Sequence, residues 1–217
     1  MTGGAPAAPP TFGPGFRAEL DLLMRWRRDV RHFRTDPVPQ DALARALAAF
    51  ALAPSVGLSE PWRLVRVQSP RARAAVTANF ETANAAALAR YDGARADLYA
   101  GLKLAGLREA PEHLAVFCDE ATAKGAGLGA ATMPETRAYS VVSAITLFWL
   151  ALRTEGLGLG WVSILDPARL AADLGLPQDW RLVGYLCIGW PADSDDQPEL
   201  DRLGWETRAQ TPPMEWR

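Results

Sequence analysis

The sequence predicts a single α+β domain in which helices flank a central mixed or antiparallel sheet. Short apolar runs typical of strands interleave with helical patterns in an irregular order, and no fixed-period repeat is present. The 217 residues suit one sizeable domain. Residues 16–217 are expected to form it, and residues 1–15, which are rich in Gly, Ala and Pro, are expected to be a flexible N-terminal arm.

The first half of the chain is expected to be mainly helical. Phe16, Leu20 and Met24 fall on one face of the first helix, whose end is crowded with arginines. Pro, Gly and Ser mark residues 53–62 as a loop. In chain order, the patterns predict helices at 16–30 and 39–53, a strand at 64–68, helices at 71–91 and 94–107, and a strand at 114–118.

The second half is expected to contain the central buried helix, because residues 139–155 are apolar nearly all round. Thr132 and Glu135 have the spacing of a capping box that opens this helix. Gly156 is a suitable residue to end it. The remaining predicted elements are strands at 158–165 and 182–189 and a short helix at 167–174.

The composition argues against several classes of partner. The formal net charge is -2 and 22% of the residues are charged, so no basic field favours nucleic acid or an anionic membrane. The longest apolar stretch, residues 141–152, is too short to span a bilayer. The N-terminus lacks the pattern of a signal peptide, and we therefore expect a cytoplasmic protein.

The sequence carries none of the usual metal or dinucleotide motifs. Cys118 and Cys187 each lie in a short apolar run, which predicts buried reduced thiols. His32 and His113 have no ligand partner nearby in sequence, so we expect no metal site. The absence of GxGxxG and Walker sequences argues against a dinucleotide-binding Rossmann site and a P-loop.

An arginine cluster at the end of the first predicted helix is the first candidate binding site. Guanidinium groups match phosphate oxygens bidentately, so a phosphate pocket is a natural use of this cluster. A solvated basic face, with Asp29 as an ordinary ion-pair partner, is the alternative. The cluster comprises Arg25, Arg27, Arg28, Arg31 and Arg34.

Two further segments are candidates for ligand binding. In residues 156–163, alternate glycines would let a flat ligand approach the backbone closely, and a bulged or closely packed strand is the alternative. Near the C-terminus, Trp205 and Arg208 lie close together, and simple surface docking is the alternative there. Residue chemistry alone therefore indicates an anion-binding α+β domain.

Together these segments resemble the FMN-dependent nitroreductase superfamily. Residues 27–33 are similar to its N-terminal phosphate motif, and residues 53–62 are similar to its APS…PW loop. Residues 156–161 resemble its Gly-rich flavin strand, and Arg208 resembles its C-terminal phosphate arginine. The resemblance covers residues 25–208.

Within this superfamily, the sequence most resembles the 5,6-dimethylbenzimidazole synthases of cobalamin biosynthesis. Common nitroreductases tend to have Ser or Thr in place of Asp29, and Asn in place of Ser59. A carboxylate beside a flavin can accept a proton, whereas a hydroxyl barely can at neutral pH. The motifs that carry the resemblance are residues 27–31, 55–62, 102–107, 132–136 and 160–165.

The resemblance implies that reduced FMN is both the bound flavin and the substrate. With O2 it would yield 5,6-dimethylbenzimidazole and erythrose 4-phosphate, without a metal or a second organic cofactor. Asp29 and Ser163 would assist this chemistry as catalytic residues. The implied FMN-binding residues are Arg27, Arg28, Asp29, Val30, Arg31, Ser55, Ser59, Pro61, Trp62, Leu102, Lys103, Gly160, Trp161, Val162, Ser163 and Arg208.

The resemblance also implies a domain-swapped homodimer with two sites at the subunit interface, in which residues 55–59 reach the neighbouring flavin. Residues 83–107 are long, Ala-rich and weakly apolar, so they are a candidate lid, with a plain surface helix pair as the alternative. The motifs include no obvious nicotinamide site, so a separate flavin reductase is expected. The alternative functions are a conventional NAD(P)H-dependent nitroreductase or dehalogenase that keeps its FMN, and a non-enzymatic flavin- or anion-binding module.

Overall fold

A four-stranded sheet forms the centre of the computed structural model, which describes residues 9–101 and 105–217. The strands are β1 (Trp62–Arg66), β2 (Glu112–Asp119), β3 (Gly158–Val162) and β4 (Trp180–Gly189). They are ordered β1-β2-β4-β3, and each neighbouring pair is antiparallel. The predicted α+β class is confirmed, and the sheet is antiparallel rather than mixed.

Helices account for most of the remaining regular structure. The α-helices are α1 (Pro14–Trp26), α2 (Gln40–Leu47), α3 (Pro70–Leu88), α4 (Gly93–Gly101), α5 (Gly106–Glu109), α6 (Thr136–Thr154), α7 (Pro167–Asp173) and α8 (Glu199–Arg202). Short 3-10 helices lie at Ala48–Leu52 and Val56–Leu58. The helix predicted at 94–107 is described as α4 and α5, and residues 102–104 lie outside the described part of the chain.

One face of the sheet is covered by α6, as its apolar sequence predicts. Ile145, Phe148 and Leu152 of this helix are fully buried against Val116 of β2 and Leu186 of β4. Each buried side chain of this size contributes about 1.5–3 kcal/mol of hydrophobic stabilisation. This helix therefore anchors the fold and fixes where β3, which follows it, enters the sheet.

The opposite face carries a second core beneath α3 and α7, which contains Phe117, Leu170 and Tyr185. Side chains alternate between the two faces along β2 and β4 because successive residues of a strand point in opposite directions. Cys118 and Cys187 are both buried, unpaired thiols and lie in different cores. The prediction of buried reduced cysteines is confirmed.

The two ends of α6 differ in how well the sequence predicted them. Gly156 has φ +77°, and hydrogen bonds from Gly156 N–H to Arg153 O and from Leu157 N–H to Leu152 O close a Schellman motif, which confirms the predicted end. The predicted capping box is wrong. The helix begins after Glu135, which occupies the N-cap in helical conformation without a side-chain cap, because a series of turns from Gly129 precedes the helix.

The prediction of a helix over residues 16–30 is wrong after Trp26. The following segment is extended and lies along the free edge of β3, where Val30 N–H donates to Leu159 O at 3.0 Å. An edge strand offers unpaired backbone groups, and this pairing satisfies some of them. Helix α1 ends because a distant strand competes for its backbone, a contact that no local pattern encodes.

The glycines of β3 make room for this extended segment. A Cβ added to Gly158 would lie 2.6 Å from Cγ2 of Val30, and one added to Gly160 would collide with the Val30 carbonyl oxygen. Close packing therefore requires glycine at these two positions. This was the alternative interpretation of the glycine pattern.

We predict that Gly160→Ala lowers the free energy of unfolding by about 1–3 kcal/mol, the range for an overpacked interior site. The backbone of Val30 must move to admit the new methyl group. Chemical denaturation measures the change. Gly15→Ala is the control, because its added Cβ meets no atom within 4 Å and α1 tolerates alanine. Equal stability of Gly160→Ala and the wild type would refute the close approach.

Candidate active-site cleft

A cleft of about 340 Å³ lies between the extended segment after α1 and the C-terminal tail. Four of the arginines predicted to bind phosphate line it, and Asp29 lies among them. The lining residues are Arg27, Arg28, Asp29, Arg31, Pro198, Glu199, Leu200, Asp201, Glu206, Thr207 and Arg208. Tertiary structure thus joins two groups of arginines that lie almost 180 residues apart in the sequence.

Positive charge is crowded at one wall of this cleft. The pKa of Arg27 is lowered by burial and by Arg208, with Asp29 acting in the opposite direction. The pKa of Arg28 is lowered by burial and then by Arg27 and Arg208. Arg208 therefore disfavours the charged forms of Arg27 and Arg28, and an anion bound beside these residues would favour those forms.

Arg28 also has an unused donor. Its Nε atom is buried, and no described residue accepts a hydrogen bond from it, while its Nη2 donates to the carbonyl oxygen of Arg25. A buried donor without a partner is costly. The Arg27 side chain is held by a cation–π contact, because its guanidinium carbon lies 4.5 Å from the ring centre of Trp149. These donors are therefore positioned before any ligand binds.

Two other arginines of the predicted cluster, Arg31 and Arg34, have carboxylate partners. Arg31 lies in the cleft, but its Nε is 3.4 Å from Glu199 and 3.8 Å from Asp29, so carboxylates already neutralise much of its charge. Arg34 forms a salt bridge with Asp36 at 2.8 Å and does not line the cleft. The sequence cluster thus divides into residues that face the cleft and residues that do not.

One carboxylate oxygen of Asp29 is bonded to the backbone, and the other, Oδ2, lies 3.8 Å from Arg31 Nε. Its Oδ1 accepts a hydrogen bond from Trp161 N–H at 2.8 Å, so the side chain extends the edge pairing of β3. About 40% of the side-chain surface stays exposed towards the cleft. Desolvation raises the pKa of Asp29, and the Trp161 hydrogen bond and the charge of Arg31 only partly oppose this effect. A carboxyl group with a raised pKa suits proton transfer near neutral pH.

The predicted residues of β3 lie beside the main cleft. Gly160, Trp161 and Val162 line a narrow recess of about 10 Å³ next to Asp29. Ser163 follows the strand and is exposed. The N–H of Trp161 is already bonded to Asp29, so this particular backbone donor is not free for a ligand.

The other predicted site residues lie at the opposite edge of the sheet. Ser55, Ser59, Pro61 and Trp62 precede or begin β1, whereas the arginine segment flanks β3. Three strand spacings separate these edges, which amounts to about 14 Å. Within one chain, the structure does not bring the two groups together. Leu102 and Lys103 lie outside the described residues.

The helix α6 gives a second measure of this separation. Val56 N–H donates to Ser140 Oγ near the start of α6, whereas Arg27 stacks on Trp149, nine residues later. Nine residues of α-helix extend about 14 Å. Ser59 Oγ is buried, and no described residue bonds to it, so this loop also holds an unused polar group.

Sequence reasoning missed the acidic wall of the cleft. Glu199, Asp201 and Glu206 face the arginines, and Glu199 is the partner of Arg31. They lie in the C-terminal segment, where the sequence singled out only Trp205 and Arg208. The one available signal was the density of acidic residues at 193–201, which composition alone cannot connect to the arginines.

Comparison with known proteins identifies the fold. The family model of the nitroreductase family matches residues 24–190. The chain belongs to the nitroreductase family. Among solved structures, oxidized iodotyrosine deiodinase bound to FMN and 3-iodo-L-tyrosine aligns with a TM-score of 0.68 and 22% identity, over 91% of this chain and 96% of that one. This likeness concerns the fold, and the predicted nitroreductase-like fold is confirmed.

Closer relatives of this nitroreductase family member are similar over nearly their whole length. It is 58% identical to 5,6-dimethylbenzimidazole synthase of Rhodospirillum rubrum, over 94% of this chain and 96% of the relative. It is 50% identical to 5,6-dimethylbenzimidazole synthase of Rhodobacter capsulatus, over 94% and 98% respectively. The resemblance predicted from the motifs is confirmed.

Two further properties concern the described residues of this family member. None of the helices at 9–101 and 105–217 is long and apolar enough to cross a membrane. Within the same ranges, no group of three or more His, Cys, Asp or Glu side chains is placed to hold a metal ion.

We predict that Arg208→Ala weakens binding of inorganic phosphate about tenfold to a hundredfold, as expected for the loss of one charge-assisted hydrogen bond. Isothermal titration measures the affinity. Arg34→Ala is the matched control, because it removes an arginine of the same sequence cluster that pairs with Asp36 outside the cleft. Equal affinities of the two variants would show that the arginine wall is not an anion site.

Proposed function

We propose that this chain is a 5,6-dimethylbenzimidazole synthase, which binds reduced FMN and uses O2 to fragment it. The observation that carries the proposal is the placement of Asp29 among Arg27, Arg28 and Arg208 in one cleft. Its relatives in Rhodospirillum rubrum and Rhodobacter capsulatus bear the same enzyme name. A cleft that offers phosphate donors beside a carboxylate matches a reaction that needs both flavin binding and proton transfer.

The arginine wall fits the phosphate of FMN. A phosphate dianion bound there would favour the charged forms of Arg27 and Arg28, which burial and the charge of Arg208 disfavour. The acidic residues on the facing wall restrict the negative charge that the cleft accepts, which suits a single phosphate group. We assign the phosphate to these arginines and the ring to the side of β3.

When bound, reduced FMN supplies the electrons that O2 accepts and the carbon atoms of the product. The dimethylbenzene ring, the two nitrogen atoms bonded to it and one ribityl carbon become 5,6-dimethylbenzimidazole. The other four ribityl carbons leave with the phosphate as erythrose 4-phosphate, and the pyrimidine part of the flavin is released separately. The chain contributes binding, orientation and proton transfer. Asp29 Oδ1 is held by Trp161 N–H, so Oδ2 is the oxygen that accepts a proton, and Ser163 lies at the end of the same strand.

The proposed reaction is tested by aerobic incubation of the protein with excess chemically reduced FMN. Chromatography should detect 5,6-dimethylbenzimidazole in proportion to the flavin consumed. Recovery of all the flavin as oxidised FMN would sink the proposal. Steady NAD(P)H oxidation with a nitroaromatic acceptor and a recyclable flavin would instead indicate a conventional nitroreductase.

The same assay tests Asp29 as the proton acceptor. Asp29→Asn should keep the hydrogen bond from Trp161 and retain FMN binding, but should lower product formation by about a hundredfold or more. Asp29→Ala is the structural comparison, because it also removes the acceptor of the Trp161 N–H and should destabilise the fold by about 1–3 kcal/mol. Full product formation by Asp29→Asn would remove Asp29 from the mechanism.

The raised pKa of Asp29 determines how product formation should change with pH. A proton acceptor must be ionised, and desolvation keeps this carboxyl protonated to higher pH than usual. Product formation by the wild type should therefore fall, as the pH is lowered, at a pH above about 4, the ordinary value for Asp. A decrease in product formation that occurs only at or below that pH would contradict the role of Asp29 as proton acceptor.

A separate flavin reductase and a cytoplasmic location complete the proposal. The motifs shared with the synthases include no obvious nicotinamide site, so we propose that a separate reductase supplies reduced FMN. The control arm of the product assay contains NADH, oxidised FMN and the protein alone. Product in that arm would exclude the need for a reductase.

We further propose that two copies of the chain assemble into a homodimer that completes each site. Residues 55–62 and the arginine segment lie at opposite edges of one sheet, so only a second copy places them together. Helix α1 offers a surface for such a contact, because none of its residues is buried and Phe16, Leu22 and Met24 are each about half exposed. An exposed apolar helix of this kind favours association.

Size-exclusion chromatography with light scattering should give twice the mass of one chain. Met24→Glu places a charge on the face of α1 that carries Phe16, Leu20 and Met24, and it should raise the monomer fraction and lower product formation in parallel. A wild-type protein that has the mass of one chain and forms product would contradict the shared site.

A further inference from the structure

Trp205 belongs to the C-terminal tail that lines the cleft, and its side chain packs against α4. The guanidinium carbon of Arg95, on α4, is 4.7 Å from the Trp205 ring centre, and its Nη1 donates to the Trp205 carbonyl oxygen at 3.2 Å. Tyr91 meets the Trp205 ring edge to face at 5.5 Å, and the Tyr99 ring lies 6.3 Å away. One side chain of the tail is thus enclosed by a cation and two aromatic rings of the α4 region.

These contacts supply much of what holds α4. No residue from 93 to 100 is buried, so the helix is not anchored by a hydrophobic core. Its other described polar anchor is the hydrogen bond that Tyr99 OH donates to Asn84 Oδ1 of α3, at 2.9 Å. An element with few buried contacts changes position or order at low energetic cost. Trp205 is therefore one of the few described contacts that hold α4, together with the Tyr99–Asn84 hydrogen bond and the Tyr91–Tyr99 aromatic pair at 5.0 Å.

Trp205 is in turn fixed to the wall of the cleft. Gly204 has φ +72°, which allows the chain to turn back after α8 so that Trp205 N–H donates to Leu200 O at 2.8 Å. Leu200 and the neighbouring Glu199 line the cleft. Three residues after Trp205, Arg208 belongs to the arginine wall, at a chain distance of no more than about 11 Å.

We propose that Trp205 is a positioning residue that couples α4 to anion occupancy of the cleft. A phosphate that neutralises Arg208 fixes residues 205–208, and Trp205 passes this order to α4 through Arg95. Thermodynamic linkage requires the reverse effect as well, so a well-ordered α4 tightens phosphate binding. The inference rests on the phosphate-binding role proposed for Arg208, and it adds a conformational consequence to that role.

Hydrogen–deuterium exchange of the α4 amides, with and without saturating inorganic phosphate, tests this coupling. In the wild type, phosphate should slow exchange across residues 93–101. In Trp205→Ala, exchange should be faster and should no longer respond to phosphate. Phosphate affinity should fall about fivefold, the lower end of the range for the loss of one exposed cation–π contact and one aromatic pair. Trp205→Phe keeps an aromatic ring and should restore part of the response.

Trp216→Ala is the matched control, because it removes a tryptophan of the same tail that is 87% exposed. It should behave like the wild type. A merely structural role of Trp205 would speed exchange but leave the phosphate response intact, and that result would overturn the proposal. Absence of any phosphate response of α4 in the wild type would overturn it too.

The exchange readout is independent of the proposed reaction. A phosphate response that depends on Trp205, in a protein that makes no 5,6-dimethylbenzimidazole, would refute the synthase assignment and leave the coupling in place. Product formation by a protein whose α4 shows no Trp205-dependent response to phosphate would refute the coupling and leave the synthase assignment in place.

Discussion

The site depends on the pairing between the extended segment after α1 and the free edge of β3. Val30 N–H donates to Leu159 O, and Trp161 N–H donates to the Asp29 carboxylate. These bonds satisfy an exposed strand edge, and Gly160 leaves the space that the Val30 backbone needs. The pairing fixes the arginines before and after Asp29 along a rigid strand, so cleft geometry follows from sheet geometry.

The electrostatics of the cleft follow from this fixed placement. Burial lowers the pKa of Arg27 and of Arg28, and the positive charge of Arg208 adds to that effect on both. The same desolvation raises the pKa of Asp29. The arginine side chains are already in place beside a carboxyl group with a raised pKa. Little reorganisation is therefore needed when an anionic ligand enters. The energetic cost of the crowded charges in the free protein becomes binding energy for that ligand.

The residues predicted to form the site come from separate parts of the chain. The arginines and Asp29 lie at the β3 edge, whereas the loop with Ser55 and Ser59 lies at the β1 edge. The tail that brings Arg208 to the cleft also brings Trp205 to α4. Contacts of the fold therefore bring the extended segment and the tail together at the cleft. Assembly with a second copy would add the loop that contains Ser55 and Ser59.

The sequence by itself determined the α+β class, the buried helix α6 with its stop at Gly156, the buried cysteines and, through several ordered motifs, the family. These properties depend on local periodicity and residue type, which the sequence contains directly. Only the tertiary structure decided that the first helix ends at Trp26, that Gly160 accommodates Val30, and that an acidic wall faces the arginines. Each of these results from contacts between segments remote in sequence, whose free energy outweighs local preference.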